Sequence, residues 1–68
     1  MPNKNLGKKL KKIRTELGFT QASLAKKAGL HTNVVAKIEQ GVTQEPALET
    51  IEKISKALGI KASDWLGY

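Results

Sequence analysis

The stretch Thr20–Gln40, TQASLAKKAGLHTNVVAKIEQ, predicts two short α-helices joined by a tight turn. Thr20 is a favourable N-cap for the first of them, because its hydroxyl can accept a hydrogen bond from the first turn. This helix should continue through Ala28. Gly29 follows it, and glycine adopts the positive φ that ends a helix more easily than other residues do.

The second helix of the pair is expected to begin at Thr32, with His31 as its capping residue. Val35 and Ile38 recur at helical spacing and should face the core, and Gly41 ends the run. Two short helices joined by a turn in this way form a helix-turn-helix. The other side chains at the start of the second helix would build little core, and they suit contact with a polar surface.

The motif and its flanks resemble the phage-repressor-like helix-turn-helix family, which is the lambda repressor and Cro type and is also called XRE. The matching residues are Thr20-Gln21-x-x-Leu24-Ala25-x-x-Ala28-Gly29, Val35-x-x-Ile38-Glu39-x-Gly41, Arg14, Pro46–Ile51 and Leu58–Ile60. The similarity covers roughly residues 5–67. It implies an all-α, five-helix, lambda-repressor-like domain whose second and third helices form the DNA-binding motif.

Length and composition predict a single domain over residues 1–68, with residues 1–5 as a flexible arm. The absence of cysteine excludes disulfides and thiolate metal sites. A single histidine, His31, leaves no second imidazole, so no metal site and no cofactor are expected. No apolar run could span a membrane and no signal peptide opens the chain, so we expect a soluble, cytoplasmic, nucleoid-associated protein.

The formal net charge of +6 is unevenly distributed along the chain. Residues 1–40 carry nine Lys and Arg side chains against two Glu, a net charge of +7, and they contain the helix-turn-helix. Residues 41–68 have a net charge of −1. A lysine face that is merely solvated explains the charge alone equally well. Beside a helix-turn-helix, however, the charge favours nucleic acid, and we expect double-stranded DNA as the partner.

The first helix of the chain is predicted to run to about Leu17. Its apolar residues recur at the spacing of one buried stripe, made of Leu6, Leu10, Ile13 and Leu17. Gly7 interrupts this helix and should weaken its first turn, since glycine costs roughly 1 kcal/mol relative to alanine.

The sequence pattern of the C-terminal part of the chain predicts two more helices. Pro46 marks the start of the longer one. Residues 61–66 should form a short last helix, in which Trp65 covers the core. The inner stripe of the longer helix is expected to consist of Leu48, Ile51, Ile54 or Ser55, and Leu58.

Side chains at the start of the motif's second helix suit base contacts in the major groove, which is wide enough for one helix. Asparagine pairs bidentately with adenine, so Asn33 is the first candidate, and Lys37 could reach guanine. Thr32 offers a hydroxyl and a methyl group, and Val34 could pack against a thymine methyl group. The family resemblance implies base contacts at the same positions.

Phosphate contacts are expected from a second set of side chains. Gln21 opens the motif's first helix, where backbone N–H groups suit a phosphate oxygen, and the resemblance implies the same role. His31, Thr43 and Lys12 are further candidates. The loop Val42–Pro46 has no positive charge, whereas this loop is often basic in the family, so lysines of the first helix should compensate.

The resemblance also implies an ion pair between Arg14 and Glu39 that ties the first helix to the end of the third. Its role would be structural. If the pair is largely buried, loss of one partner should cost about 3–5 kcal/mol, because the other charge is left uncompensated. The alternative is that both are ordinary surface charges.

A domain of this size contacts few base pairs, so a homodimer on a palindromic operator is expected. The expected function is transcriptional regulation, as a repressor. The alternative is a protein-interaction module on the same fold, such as an antitoxin or a co-activator adaptor. An enzyme is not expected, although Ser23 and Lys26 match a Ser-x-x-Lys spacing, because that spacing is common and both residues lie on an exposed helix. No small-molecule ligand is expected.

Overall fold

A computed structural model describes residues 5–66 of the chain. Its elements are α1 (Leu6–Glu16), α2 (Gln21–Ala28), α3 (Thr32–Glu39), α4 (Leu48–Leu58) and α5 (Ser63–Leu66). The all-α, five-helix prediction is therefore confirmed. Of the arm expected at residues 1–5, all but Asn5 lies outside the described residues.

The start of α2 and the turn to α3 have the predicted geometry. The Thr20 hydroxyl accepts from the Ser23 N–H, and the Thr20 N–H donates to the Ser23 hydroxyl, both at 2.9 Å. At the other end Gly29 has φ +73°, and the N–H of Leu30 reaches back to the Ala25 carbonyl at 2.8 Å. This is a Schellman motif, which satisfies the last carbonyls of α2 and directs the chain into α3.

The core lies where α1 packs against α3 and α5, and α2 packs against α3 and α4. Its buried apolar side chains are Leu6, Leu10, Leu24, Ala25, Val35, Ile38, Ile51, Ile54, Ala57, Leu58 and Trp65. Trp65 is fully buried, as predicted, and its indole Nε1 donates to the Ser55 Oγ at 2.8 Å. Ser55 in turn donates to the Ile51 carbonyl at 2.7 Å, so Ser55 and Ile54 both face inward.

Two leucines that were assigned to buried stripes are exposed, and these predictions were wrong. Leu17 is 50% exposed because α1 ends at Glu16 and the chain turns away there. Leu48 is 69% exposed because it is the first residue of α4, and the buried face of that helix begins one turn later, at Ile51.

Gly7 has a packing role that helix propensity does not predict. It is buried where the first turn of α1 meets the last turn of α3. The close approach of two backbones explains the glycine, because any side chain at this position would overlap α3.

Candidate nucleic-acid interface

The α3 helix has one face in the core and one in solvent. Val35 and Ile38 are buried against the other helices. Thr32, Asn33 and Lys37 are exposed on the opposite side, so the structure brings three of the four expected base-contacting residues together. Hydrogen-bonding side chains with no role in packing thus cover the first turn and the middle of this helix.

Val34 differs from the other three candidates. Its side chain is half-buried and packs against the core, because it lies one residue before Val35 on the side of α3 that turns inward. Ala36 lies instead between Thr32 and Lys37 on the outer face. A small residue at this position allows the helix backbone to approach another molecule closely.

The N-terminus of α3 carries no side-chain cap. His31 occupies the N-cap position with extended backbone angles, φ −75° and ψ 146°, but its ring makes no capping hydrogen bond. His31 therefore occupies the predicted capping position, without a capping hydrogen bond from its side chain. The exposed ring lies at the helix end, where the helix dipole favours negative charge.

The C-terminal end of α3 is held by a polar network around Glu39. The ion pair expected with Arg14 is present and bidentate: Arg14 Nε donates to Glu39 Oε2 at 2.7 Å, and Nη2 donates to Oε1 at 3.0 Å. Arg14 Nη1 also donates to the Phe19 carbonyl at 2.7 Å. The hydrogen bond to Glu39 raises the pKa of Arg14 above its ordinary value, against the opposing effect of burial, so the guanidinium stays charged.

Gln21 belongs to the same network, which the sequence did not predict. Its Nε2 donates to Glu39 Oε1 at 3.0 Å, and the Gln21 residue is half-buried. An amide nitrogen carries two hydrogens, so Nε2 can donate a second bond while the first fixes its direction. The network therefore joins α1, α2 and α3 and orients a donor at the start of α2.

The remaining phosphate candidates lie in different places. Thr43 is half-buried just after α3, and its backbone N–H donates to the Lys37 carbonyl at 3.1 Å. Lys12 lines a shallow groove between α1 and α5 together with Asp64. Because Lys12 and Arg14 are two residues apart, they point about 200° apart around α1, so the structure does not bring Lys12 to the α3 side.

Other chemistry has little support in the described part of the chain. Between residues 5 and 66 there is no group of three side chains that could hold a metal ion. In the same range no helix has the length and apolar character needed to cross a bilayer. The hydroxyl of Ser23 is engaged in capping α2 through Thr20.

Comparison with known proteins gives matches over most of the chain. Residues 10–65 match the helix-turn-helix family. The chain is 40% identical over 63 residues to the control protein C.BamHI of Bacillus amyloliquefaciens, which covers 91% of this chain and 76% of that protein. It is also 40% identical over 62 residues to the immunity repressor protein of Bacillus phage phi105, but spans only 42% of that repressor's length.

The fold matches a protein that has been crystallised on DNA. The structure resembles SinR of Bacillus subtilis, the master regulator for biofilm formation, in complex with DNA. The TM-score is 0.85 at 30% identity, and the match covers 90% of this chain and 97% of that chain.

Proposed function

Because this chain belongs to the phage-repressor-like helix-turn-helix family, we propose that it binds a specific double-stranded DNA site through α3 and represses transcription. The observation that carries this proposal is the outer face of α3, where Thr32, Asn33 and Lys37 are exposed together. A helix of this kind fits the major groove, where each base pair has its own pattern of donors and acceptors.

Each side chain on that face has a suitable base edge. Asn33 would pair with adenine through its amide, and Lys37 would donate to guanine N7 or O6. Thr32 would add a hydroxyl contact near the start of the helix. A thymine methyl group would pack on Ala36, with Val34 restricted to the edge of the contact by its packing in the core.

Phosphates on either side of the groove would be held by weaker contacts. Gln21 has a fixed amide donor next to the N–H groups of the first turn of α2, which is the usual geometry for a phosphate oxygen. His31 and Thr43 lie at the two ends of α3 and would contact phosphates of one or the other DNA strand. Lys12 would contribute only through long-range attraction, because it faces α5.

Two copies of the chain on a palindromic operator would supply the affinity that one copy lacks. The helices extend over 28 × 21 × 20 Å. This is less than the separation of about 34 Å between half-sites one helical turn apart, so two copies fit side by side on one face of the duplex. A homodimer on DNA, and with it a location on the nucleoid, forms part of the proposal.

Selection of bound sequences from a random DNA pool tests this function. Wild type should enrich one motif with two-fold symmetry, and Asn33→Ala should lose the preference at one position in each half. Lys53→Ala is the matched control, since it removes an exposed charge on α4 and should leave the motif unchanged. No enrichment by folded wild type at low salt would refute specific DNA binding.

The exposure of Val42 and Leu48, each 69%, favours a second candidate function, that of a protein-interaction module. Trp65 cannot provide the apolar patch for such a partner, because it is fully buried. An antitoxin or a co-activator adaptor would instead use the α3–α4 loop and the start of α4. Failure of DNA selection, together with partner binding that Leu48→Asp abolishes, would favour this alternative.

A further inference from the structure

The first turn of α1 touches the last turn of α3 through the backbone of Gly7. A Cβ added at Gly7 would overlap the Ile38 carbonyl oxygen, and it would lie 2.8 Å from the carbonyl oxygen and 2.9 Å from the Cα of Glu39. All three are backbone atoms. Rotation of a side chain therefore cannot relieve the overlap, and the two helices would have to move apart.

The backbone conformation of α1 does not itself require glycine at this position. Gly7 lies inside the helix and is not among the residues with positive φ, which are Gly18, Gly29, Gly41 and Gly59 in the described range. Inside a helix, alanine is more stable than glycine. The close approach to α3 is thus the physical reason that the structure offers for the glycine.

Gly7 and Arg14 form one contact surface on α1. They are seven residues apart, so they lie on the same side of the helix, about 10 Å from each other along its axis. Both meet Glu39: Gly7 through the main chain and Arg14 through the carboxylate, at 2.7 Å. The end of α3 is therefore fixed at two separate points.

We infer that Gly7 is a positioning residue for DNA recognition, which sets the distance between α1 and the end of α3. This inference rests on the proposed function. A shift of the last turn of α3, a helix of eight residues, would also tilt its first turn, because backbone hydrogen bonds hold successive turns together. Contacts to base edges need placement within about 0.5 Å, so such a tilt would weaken Asn33 and Lys37 together.

The test compares Gly7→Ala with wild type in two measurements, the melting temperature and the ratio of affinities for the selected site and for random DNA. Helix propensity alone predicts a higher Tm for Gly7→Ala, whereas the overlap predicts a lower one. We expect a lower Tm and a roughly tenfold fall in the affinity ratio, about the value of one base contact. Binding to random DNA should not change, because every lysine remains.

Ile13→Ala is the matched control. Ile13 is a half-buried residue of α1 that lines the groove towards α5. Its truncation should lower Tm. The affinity ratio should stay within about twofold of wild type, because Ile13 shares no contact with the base-contacting residues. All measurements are made below the melting transitions. If Gly7→Ala is unfolded in buffer, all three proteins are compared in sucrose, which favours the folded state.

An unchanged affinity ratio in folded Gly7→Ala, or a higher Tm, would overturn the inference. So would a Gly7→Ala protein that remains unfolded in sucrose, because Gly7 would then serve folding alone. Wild type that shows no preference for any site would instead refute the proposed function, and the two failures are therefore distinguishable.

Discussion

The two ends of α3 are built in opposite ways. At the C-terminal end Glu39, with a side chain only 3% exposed, accepts hydrogen bonds from Arg14 and Gln21 and lies over Gly7. At the N-terminal end His31 gives no side-chain cap, and the polar side chains that follow point into solvent. The C-terminal end is held by polar and backbone contacts with α1 and α2, whereas the first turn has no side-chain hydrogen bond to cap it.

This difference separates the residues that hold the helix from those that would contact DNA. A buried polar network with all its partners satisfied makes one arrangement of α1, α2 and α3 more stable than others. Thr32 and Asn33 take no part in this network and are exposed, so they are available to another molecule. Changes at the two ends should therefore have different effects, which the following variants measure.

Glu39→Ala should have the largest effect on stability. It leaves the Arg14 guanidinium buried without its carboxylate, which costs about 3–5 kcal/mol for a buried pair. The free energy of unfolding in urea measures this loss. Such a loss is a large fraction of the total stability of a small domain, so the urea concentration at the midpoint of unfolding should fall steeply.

The exposed pair of Lys53 and Glu49 on α4 provides the control for that variant. Its atoms lie 3.1 Å apart, but the side chains are 42% and 78% exposed. Lys53→Ala should therefore change the unfolding free energy by only about 0.3–0.5 kcal/mol. If Glu39→Ala cost no more than this, Glu39 would not fix the end of α3.

His31→Ser should have a smaller effect, of opposite sign. The backbone angles at this position already suit an N-cap, and a serine hydroxyl could accept from the N–H of Asn33 or Val34. Unfolding in urea should show a gain of about 0.5–1 kcal/mol. If His31→Ser has the same free energy of unfolding as wild type, the N–H groups at this end of α3 already have other hydrogen-bond partners.

Local sequence signals were sufficient for most of the fold. The N-cap at Thr20 and the positive φ of Gly29 depend on neighbours within a few residues, so the sequence predicts them and the structure confirms them. Leu17 and Leu48 were misplaced because both lie at helix ends, where spacing along the chain no longer determines the direction of a side chain. Burial at such positions depends on whether another element covers them.

Less of the candidate site than of the fold could be predicted from the sequence alone. The pairing of Arg14 with Glu39 followed from the family resemblance, since 25 residues separate them and no local pattern connects them. The bond from Gln21 to Glu39 and the contact of Gly7 with α3 are tertiary contacts. A helix-propensity scale treats Gly7 only as destabilising, whereas the structure shows that it allows α1 to approach α3 closely. The exposed face of α3, by contrast, can be predicted directly from the helical spacing of Val35 and Ile38.

The most direct test of base recognition by α3 is a double-mutant cycle between Asn33 and the base pairs of the selected site. Wild type and Asn33→Ala are each titrated against the site and against its single-base-pair substitutions. The two changes should be non-additive at one A·T pair in each half-site, with a coupling of about 1–3 kcal/mol, and additive elsewhere. Additivity at every position would contradict contact between Asn33 and a base.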